Sequence, residues 1–271
     1  MKTFLSAAIA AIAAIVILQQ SALAQDVSDL AKATQNPVGD LTVLGNEVKF
    51  MAGGGLTDGR SILNFNFEPV IPMAINQNWN VIARTIVPYL NIPGPQLTRF
   101  TGIGDVKEQL FFSPSHPGAL LWGVGPVFSF PTATNELATT GSWAAGPSAV
   151  VLKFVGPLVL GTLAFNVWTF ADNDHVKPEV NGLSVQPFVE LNLPDGWAVG
   201  SSPSISANWD AASGEKWTVP LGLGISKVTL VGPLPVLLGI DYYNNVKRPT
   251  TGTKTEMRFL AAILFPKGKK Q

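Results

Sequence analysis

Apolar and polar residues alternate with a period of two along most of the chain, and the alternating segments are joined by connections that are in turn long and short. A period of two places successive side chains on opposite faces of a strand. In one segment Ser184, Gln186, Glu190 and Asn192 alternate with Val185, Val189, Leu191 and Leu193. In another, Thr218, Gly222, Gly224 and Ser226 oppose Trp217, Val219, Leu221, Leu223 and Ile225. Near the end, Glu256 and Arg258 oppose Met257, Phe259, Ala261, Ile263 and Phe265. Twelve such runs are expected as strands, at 41–53, 61–75, 79–93, 101–114, 119–133, 143–155, 158–171, 180–194, 197–210, 216–231, 234–247 and 255–266. Each has at least the ~9–11 residues that a tilted strand needs to cross a bilayer.

The connections sharpen this reading. Asn76–Asn78, Ser115–Gly118, Gly156-Pro157, Asp195-Gly196 and Gly232-Pro233 are short, and each is flanked by longer connections such as Gly54–Arg60, Thr134–Ser142 and Arg248–Lys254. Outer-membrane barrels are built in this way, and an even strand number returns both termini to the periplasmic side. The expected fold is all-β: a single antiparallel transmembrane β-barrel of about twelve strands, with short periplasmic turns and longer extracellular loops. Trp79, Trp143, Trp197, Trp209 and Trp217 lie near the proposed strand ends, as an interfacial girdle requires, although tryptophans capping a soluble β-sandwich would look alike. Six prolines run against the assignment: Pro69, Pro126, Pro147, Pro187, Pro203 and Pro220 fall inside proposed strands. Proline cannot donate to a ladder, and a closed barrel has no free edge to put it on.

Composition removes several alternatives. Lys and Arg number 18, as do Asp and Glu, so there is no basic excess to meet nucleic acid. With no cysteine, neither a disulfide framework nor a thiolate metal site can form. A 13% charged fraction beside 46% hydrophobic residues is low in charge for a soluble protein and too apolar for disorder. Residues 1–24 read as a secretory signal peptide: Lys2, an apolar run from Ala7 to Leu18, and Ala22-Leu23-Ala24 before Gln25. Residues 25–40 then form a short periplasmic lead with a helical turn at Asp29–Ala33, 41–266 the barrel, and 267–271 a basic tail.

The face opposite the apolar one should line the lumen, because a charge facing lipid at mid-bilayer costs about 2–4 kcal/mol. This assigns to the interior Asn64, Asn66, Glu68, Asn80, Arg84, Asp105, Lys107, Gln109, Lys153, Asn166, Gln186, Glu190, Asn192, Asp241, Glu256 and Arg258. Glu108 falls on the outward face of its strand. The interior set either pairs acid with base and fills a narrow lumen, or lines a path and biases what passes, since barrels of this size can do either. Catalysis has little support. The two histidines, His116 and His175, lie in connections, and a nucleophilic serine with a positioned base is not evident. Asp172 and Asp174 lack the rest of a calcium loop, and Gly53-Gly54-Gly55 and Gly102-Ile103-Gly104 open no helix that could cradle phosphate. No cofactor and no metal are expected, and the chain is read as a non-enzyme.

An ordered set of motifs adds a resemblance. "NPVGDL" at Asn36–Leu41, "NFNFEPVIP" at Asn64–Pro72, "WNVIARTIVP" at Trp79–Pro88 and "GIGDVKEQLFFSP" at Gly102–Pro114 come first. "WGVGPVFSFPTAT" at Trp122–Thr134, "AAGPSAVVLK" at Ala144–Lys153, "WTVPLGLGISK" at Trp217–Lys227 and "RFLAAILFP" at Arg258–Pro266 follow. Over nearly the whole mature chain this set resembles the bacterial outer-membrane proteins associated with the phenol meta-degradation pathway, whose members often carry the labels "transporter" or "neuromedin U". The resemblance implies an outer-membrane barrel that transports small, hydrophobic or aromatic molecules, and it brings no catalytic or substrate-binding residues. Its implied partners are outer-membrane lipid, small-molecule solutes and the barrel-assembly machinery, with oligomeric state left open. That machinery often reads a terminal aromatic, whereas here the basic tail follows Phe265. The alternative is a closed barrel with a filled lumen, acting as a structural or binding protein of the outer membrane.

Overall fold

The computed structural model describes residues 27–54, 60–94, 98–135, 138–172 and 179–266. The segment at 1–24 expected to be a signal peptide, Gly55, Asp174, His175 and the residues at 267–271 lie outside the described residues.

Ten of the expected runs form single strands: β1 (Thr42–Ala52), β2 (Ile62–Ala74), β3 (Trp79–Pro93), β6 (Leu121–Phe130), β7 (Ser142–Val155), β8 (Leu158–Asp172), β9 (Asn181–Asn192), β12 (Trp217–Val231), β13 (Leu234–Lys247) and β14 (Thr255–Phe265). The other two are each broken. The run at 101–114 becomes β4 (Arg99–Ile103) and β5 (Val106–Pro114), both paired with β3. The run at 197–210 becomes β10 (Trp197–Ser201) and β11 (Ile205–Asn208), both held between β9 and β12. Fourteen segments therefore fill twelve positions, all antiparallel. Pairing of β1 with β14, from Thr42↔Phe265 to Ala52↔Thr255, closes the ring. Closure is what a membrane demands of a sheet, because hydrocarbon offers no partner to an unpaired strand edge.

All of the six strand prolines but Pro203 are accommodated at irregularities in single ladders. The β2–β3 pairing stops at Phe67↔Val87 and resumes at Val70↔Arg84, which leaves Pro69 in the gap. The β5–β6 ladder likewise skips Pro126, and the β7–β8 ladder skips Pro147. Pro203 lies in the break between β10 and β11, with Pro187 facing that break from β9. Pro220 sits at the bulge where β12 slips against β13. A strand residue in an antiparallel pair directs both its N–H and its C=O to one neighbour, so a proline interrupts one ladder and leaves the other intact. Leu44↔Pro69, Pro126↔Pro147 and Thr162↔Pro187 are all in register on the unbroken side.

The short connections carry the backbone chemistry of tight hairpins. Gly156 and Gly232 have φ of +60° and +61° directly before a proline, and Asp195-Gly196 has φ of 59° and 75°. These left-handed conformations match the right-handed twist of the flanking strands. At Ile75–Asn78 the Asn76 side chain accepts from the N–H groups of Asn78 and Trp79.

The outer face is built for hydrocarbon. Leu221, Leu223, Phe170 and Val246 each leave more than half of their surface exposed, and Phe65, Phe67, Ile71, Met73, Ile225, Leu238, Ile240 and Phe259 share this face. All seven tryptophans sort to the two rims. Trp79, Trp122 and Trp197 lie at the short-turn end, where Trp79 and Trp122 meet edge to face at 6.0 Å and Lys227 sits 4.7 Å over the Trp197 ring. Trp143, Trp168, Trp209 and Trp217 lie at the long-loop end, with Trp209 and Trp217 in edge contact at 5.4 Å. Two amphipathic belts on either side of an apolar band are the arrangement a bilayer selects.

The segment before β1 does not trail away from the barrel. Helix α1 (Val27–Thr34) buries Leu30 and Ala31 against Leu41, Val228, Ala262 and Leu264 on the β12–β14 wall. The chain then crosses to the opposite wall, where Val38 joins a buried cluster with Ile82, Phe111, Val150, Leu152, Val159, Leu163 and Phe188. Midway, Gln35 and Asn192 exchange amide hydrogen bonds of 3.0 and 2.9 Å. The segment thus lies across the short-turn mouth from wall to wall.

Two outcomes test this architecture. The folded protein should migrate faster than the boiled protein on a gel run without prior heating, and identical mobility would contradict a closed barrel. Gly146→Val places a Cβ against the Asn166 carbonyl beside the Pro147 gap, and this overpacking should cost about 1–3 kcal/mol in urea unfolding.

Candidate functional site

Parity delivers charge to the lumen, and register decides which charges meet. One row runs around the interior through consecutive register partners: Glu190, Gly200, Gly224, Asp241, Arg258, Lys49 and Asn64. In-register neighbours stand about 4.5–5.5 Å apart at Cβ, close enough for side chains to interact directly.

Most of these charges are paired. Arg84 donates to Glu68 at 2.7 Å and to Gln109 at 2.9 Å. Lys49 pairs with Glu47 at 2.9 Å, and Asn66 donates to the same carboxylate. Arg258, 2% exposed, pairs with Glu256, donates to the Ser202 carbonyl at 3.0 Å and stacks 4.5 Å over the Tyr243 ring. The Tyr243 hydroxyl accepts from the Ser202 N–H, so the break between β10 and β11 is stapled to β13. Gln186 donates to the Ser202 hydroxyl at 2.8 Å. Buried charges this close to their partners are held in place, because separating them would leave a bare charge in a wall of low polarity.

The lumen is two-sided. The wall from β5 to β8 is mostly apolar and carries the cluster around Phe111, Val150 and Leu163, which Phe188 joins from β9. The wall from β9 through β14 to β3 carries the charges. Between them lies a cavity of about 280 Å³. Thr34, Gln35, Asn36 and Pro37 of the N-terminal segment line its short-turn side, Leu163, Phe188, Leu237 and Leu260 give it an apolar surface, and Glu190, Asp241, Arg84 and Arg258 face it as well.

Twelve of the sixteen residues assigned to the lumen by parity occupy interior-facing strand positions: Asn64, Asn66, Glu68, Asn80, Arg84, Lys107, Gln109, Gln186, Glu190, Asp241, Glu256 and Arg258, of which Arg84, Gln186, Glu190, Asp241 and Arg258 line the cavity. Asn192 also faces inward, but it is spent on Gln35 and the Pro157 carbonyl. Three do not line the lumen. Lys153 is exposed on the outer face of β7 with Trp143 and Val155, close to the Gly156 turn, where a lysine can reach the interface. Asn166 lies on the outward side of β8 between Ala164 and Trp168, and bonds Asn181 and the Trp209 indole. Asp105 falls between β4 and β5 and anchors the connection after β6: it accepts from Ala133 N–H, Thr139 hydroxyl, and the N–H and hydroxyl of Thr140. Glu108 stays on the outward face, where it accepts the Thr85 hydroxyl at 2.6 Å.

Glu47 and Lys49 belong to the interior and escaped parity reasoning. Asn46 on the outer face and Gly45 blur the alternation just before them, although Val48 and Phe50 on the opposite face carry the signal. Nothing in the sequence singles out Tyr243 or Ser202, whose roles depend on a strand break.

At the long-loop mouth, the connections after β11 and β13 are joined by Glu215, which accepts from the Thr250 N–H at 2.6 Å and its hydroxyl at 2.8 Å. These two bonds, the backbone one first, hold the Glu215 carboxyl below its ordinary value of 4.5.

No family model matches the sequence, and no curated protein matches it either. The fold does have solved counterparts. An outer membrane channel from Pseudomonas putida F1 superposes with a TM-score of 0.64 at 10% identity, covering 83% of this chain and 96% of that one. The NanC porin superposes with a TM-score of 0.51 at 10% identity, covering 82% of this chain and 98% of that one. At such identity the likeness concerns the fold alone: a closed antiparallel barrel like those of the two membrane proteins.

The networks predict their own sensitivities. Arg258→Met strips the partner from Glu256 and should destabilise the barrel by about 3–5 kcal/mol in reversible urea unfolding, whereas Lys153→Gln should change it little. A depressed carboxyl contributes to docking above its unfolded value and ceases to as pH falls through its lower folded one. Protease protection of the 248–254 connection should therefore persist below pH 4.5 and disappear on further acidification, and Glu215→Gln should weaken it at neutral pH.

Proposed function

We propose that the protein is an outer-membrane channel for the passive or facilitated passage of small molecules with hydrophobic or aromatic bodies. The observation that carries this reading is the two-sided lumen: a closed membrane barrel that leaves a cavity of about 280 Å³ between an apolar wall and a charged one. A solute with an apolar body and a polar end finds a partner for each part there. The fold shared with an outer membrane channel and a porin supports passage. The preference for aromatic molecules rests on the motif resemblance and on the apolar wall, and delivery to the membrane by the barrel-assembly machinery rests on the fold class.

A second reading has its own observation. The N-terminal segment bridges the short-turn mouth and Val38 enters the apolar cluster, as expected of a closed barrel with a structural or binding role.

Planar-bilayer recording on refolded protein separates the two. Steady single-channel steps above background support passage, and their absence at high protein load overturns it. Leu30→Asp, which places a charge among Leu41, Val228 and Leu264, should unseat the segment. Conductance should then rise if the segment is what narrows the mouth, and stay absent if the lumen itself is filled.

A further inference from the structure

The charged residues facing the cavity are paired, with two exceptions. Glu47 is held by Lys49, Arg84 by Glu68, and Arg258 by Glu256 and, at 3.8 Å, by Glu47. The carboxylates of Glu190 and Asp241 make no hydrogen bond or salt bridge among the described residues. They belong to β9 and β13, yet the register places only Gly200 and Gly224 between them in a single row. A Cβ on Gly200 would collide with the Glu190 Oε2, and a Cβ on Gly224 with the Asp241 Oδ1. Each carboxylate therefore occupies the space over the glycine beside it, and because Gly200 and Gly224 are register partners the two acids come to adjacent places in one row at the cavity. Two acids brought together without a cation repel, and a bound cation would relieve that repulsion.

An independent feature stands next in the row. Arg258 pairs in register with Asp241, lines the same cavity and is 2% exposed, and its Nη2 is buried without an acceptor. A buried guanidinium donor left unfilled is costly, and a carboxylate is the acceptor that suits it. Leu163, Phe188, Leu237 and Leu260 line the same cavity.

We propose that the cavity binds a small amino-acid-like zwitterion with an apolar side chain. Its ammonium lies between Glu190 and Asp241, its carboxylate meets Arg258, and its side chain rests on the apolar wall. An ammonium and a carboxylate on one carbon match the spacing of in-register neighbours such as Asp241 and Arg258. The assignment rests on the reading of the lumen as a passage and names the class of solute that passage favours.

The test uses the refolded full barrel and three probes of one shape: phenylalanine, phenethylamine and 3-phenylpropionate. Calorimetric titration should show phenylalanine binding tightest. Glu190→Gln with Asp241→Asn should weaken phenylalanine and phenethylamine about tenfold, as the loss of a hydrogen bond to a charged group implies, and should leave 3-phenylpropionate unchanged or tighter. Each single variant should act in the same direction, and heat-modifiable migration shows whether each has folded. Lys153→Gln on the outer face should bind as the unaltered protein does. Equal affinity for the three probes, no binding of phenylalanine, or an equal effect of the double variant on all three overturns the proposal. Liposome swelling with the same probes and arabinose keeps the two readings apart. Swelling by arabinose without the binding pattern leaves passage standing and removes the site. The binding pattern without swelling by any probe leaves the site and removes passage.

Discussion

Every backbone N–H and C=O that meets hydrocarbon must be bonded within the protein, and this requirement organises the whole barrel. It is met by pairing β1 with β14, which leaves no open edge. The strand prolines show how tightly the requirement binds. Each removes one donor, and all but Pro203 are placed where one ladder is interrupted while the other keeps its pairing. The break between β10 and β11 is the largest such concession, and it is repaired from within by the Tyr243 hydroxyl and the Arg258 guanidinium, which bond the Ser202 backbone.

Closure also divides the side chains into two populations with opposite chemistry. Outward residues meet lipid and are apolar, with aromatic rims. Inward residues meet one another, and the charges among them are arranged as acid–base pairs across neighbouring strands. The apolar cluster around Phe111 and Leu163 thickens one wall, and the N-terminal segment fastens to both walls through Leu30 and Val38. What remains open is a cavity whose two halves differ in polarity. Its shape owes as much to Gly200, Gly224 and the segment at 34–37 as to any large side chain.

Much of the fold was legible in the residues. Alternation locates ten single strands to within a few positions, and Gly156-Pro157, Asp195-Gly196 and Gly232-Pro233 announce the tight turns that the φ angles then display. Parity placed Glu68, Arg84, Glu190, Asp241 and Arg258 on the interior face where the structure has them. It misplaced Lys153, on the outer face of β7 beside the Gly156 turn, Asn166, on the outer face of β8 at the gap opposite Pro147, and Asp105, which sits in a strand break and holds a loop. It missed Glu47 and Lys49 behind Gly45-Asn46. Counting by twos fails wherever a bulge or break resets the count.

Strand number, turn positions and the lipid-facing surface were determined by the sequence alone, because each depends on the local order of neighbouring residues. Only the tertiary structure decided that Glu190 and Asp241 share a row with two glycines and Arg258, and that Gln35 and Val38 lie inside the mouth. Those juxtapositions depend on the relative register of five strands between residues 181 and 265, and on where an amphipathic segment finds apolar surface across an enclosed space. A one-residue slip in any of the intervening ladders would move the carboxylates off their glycines without altering a single local pattern.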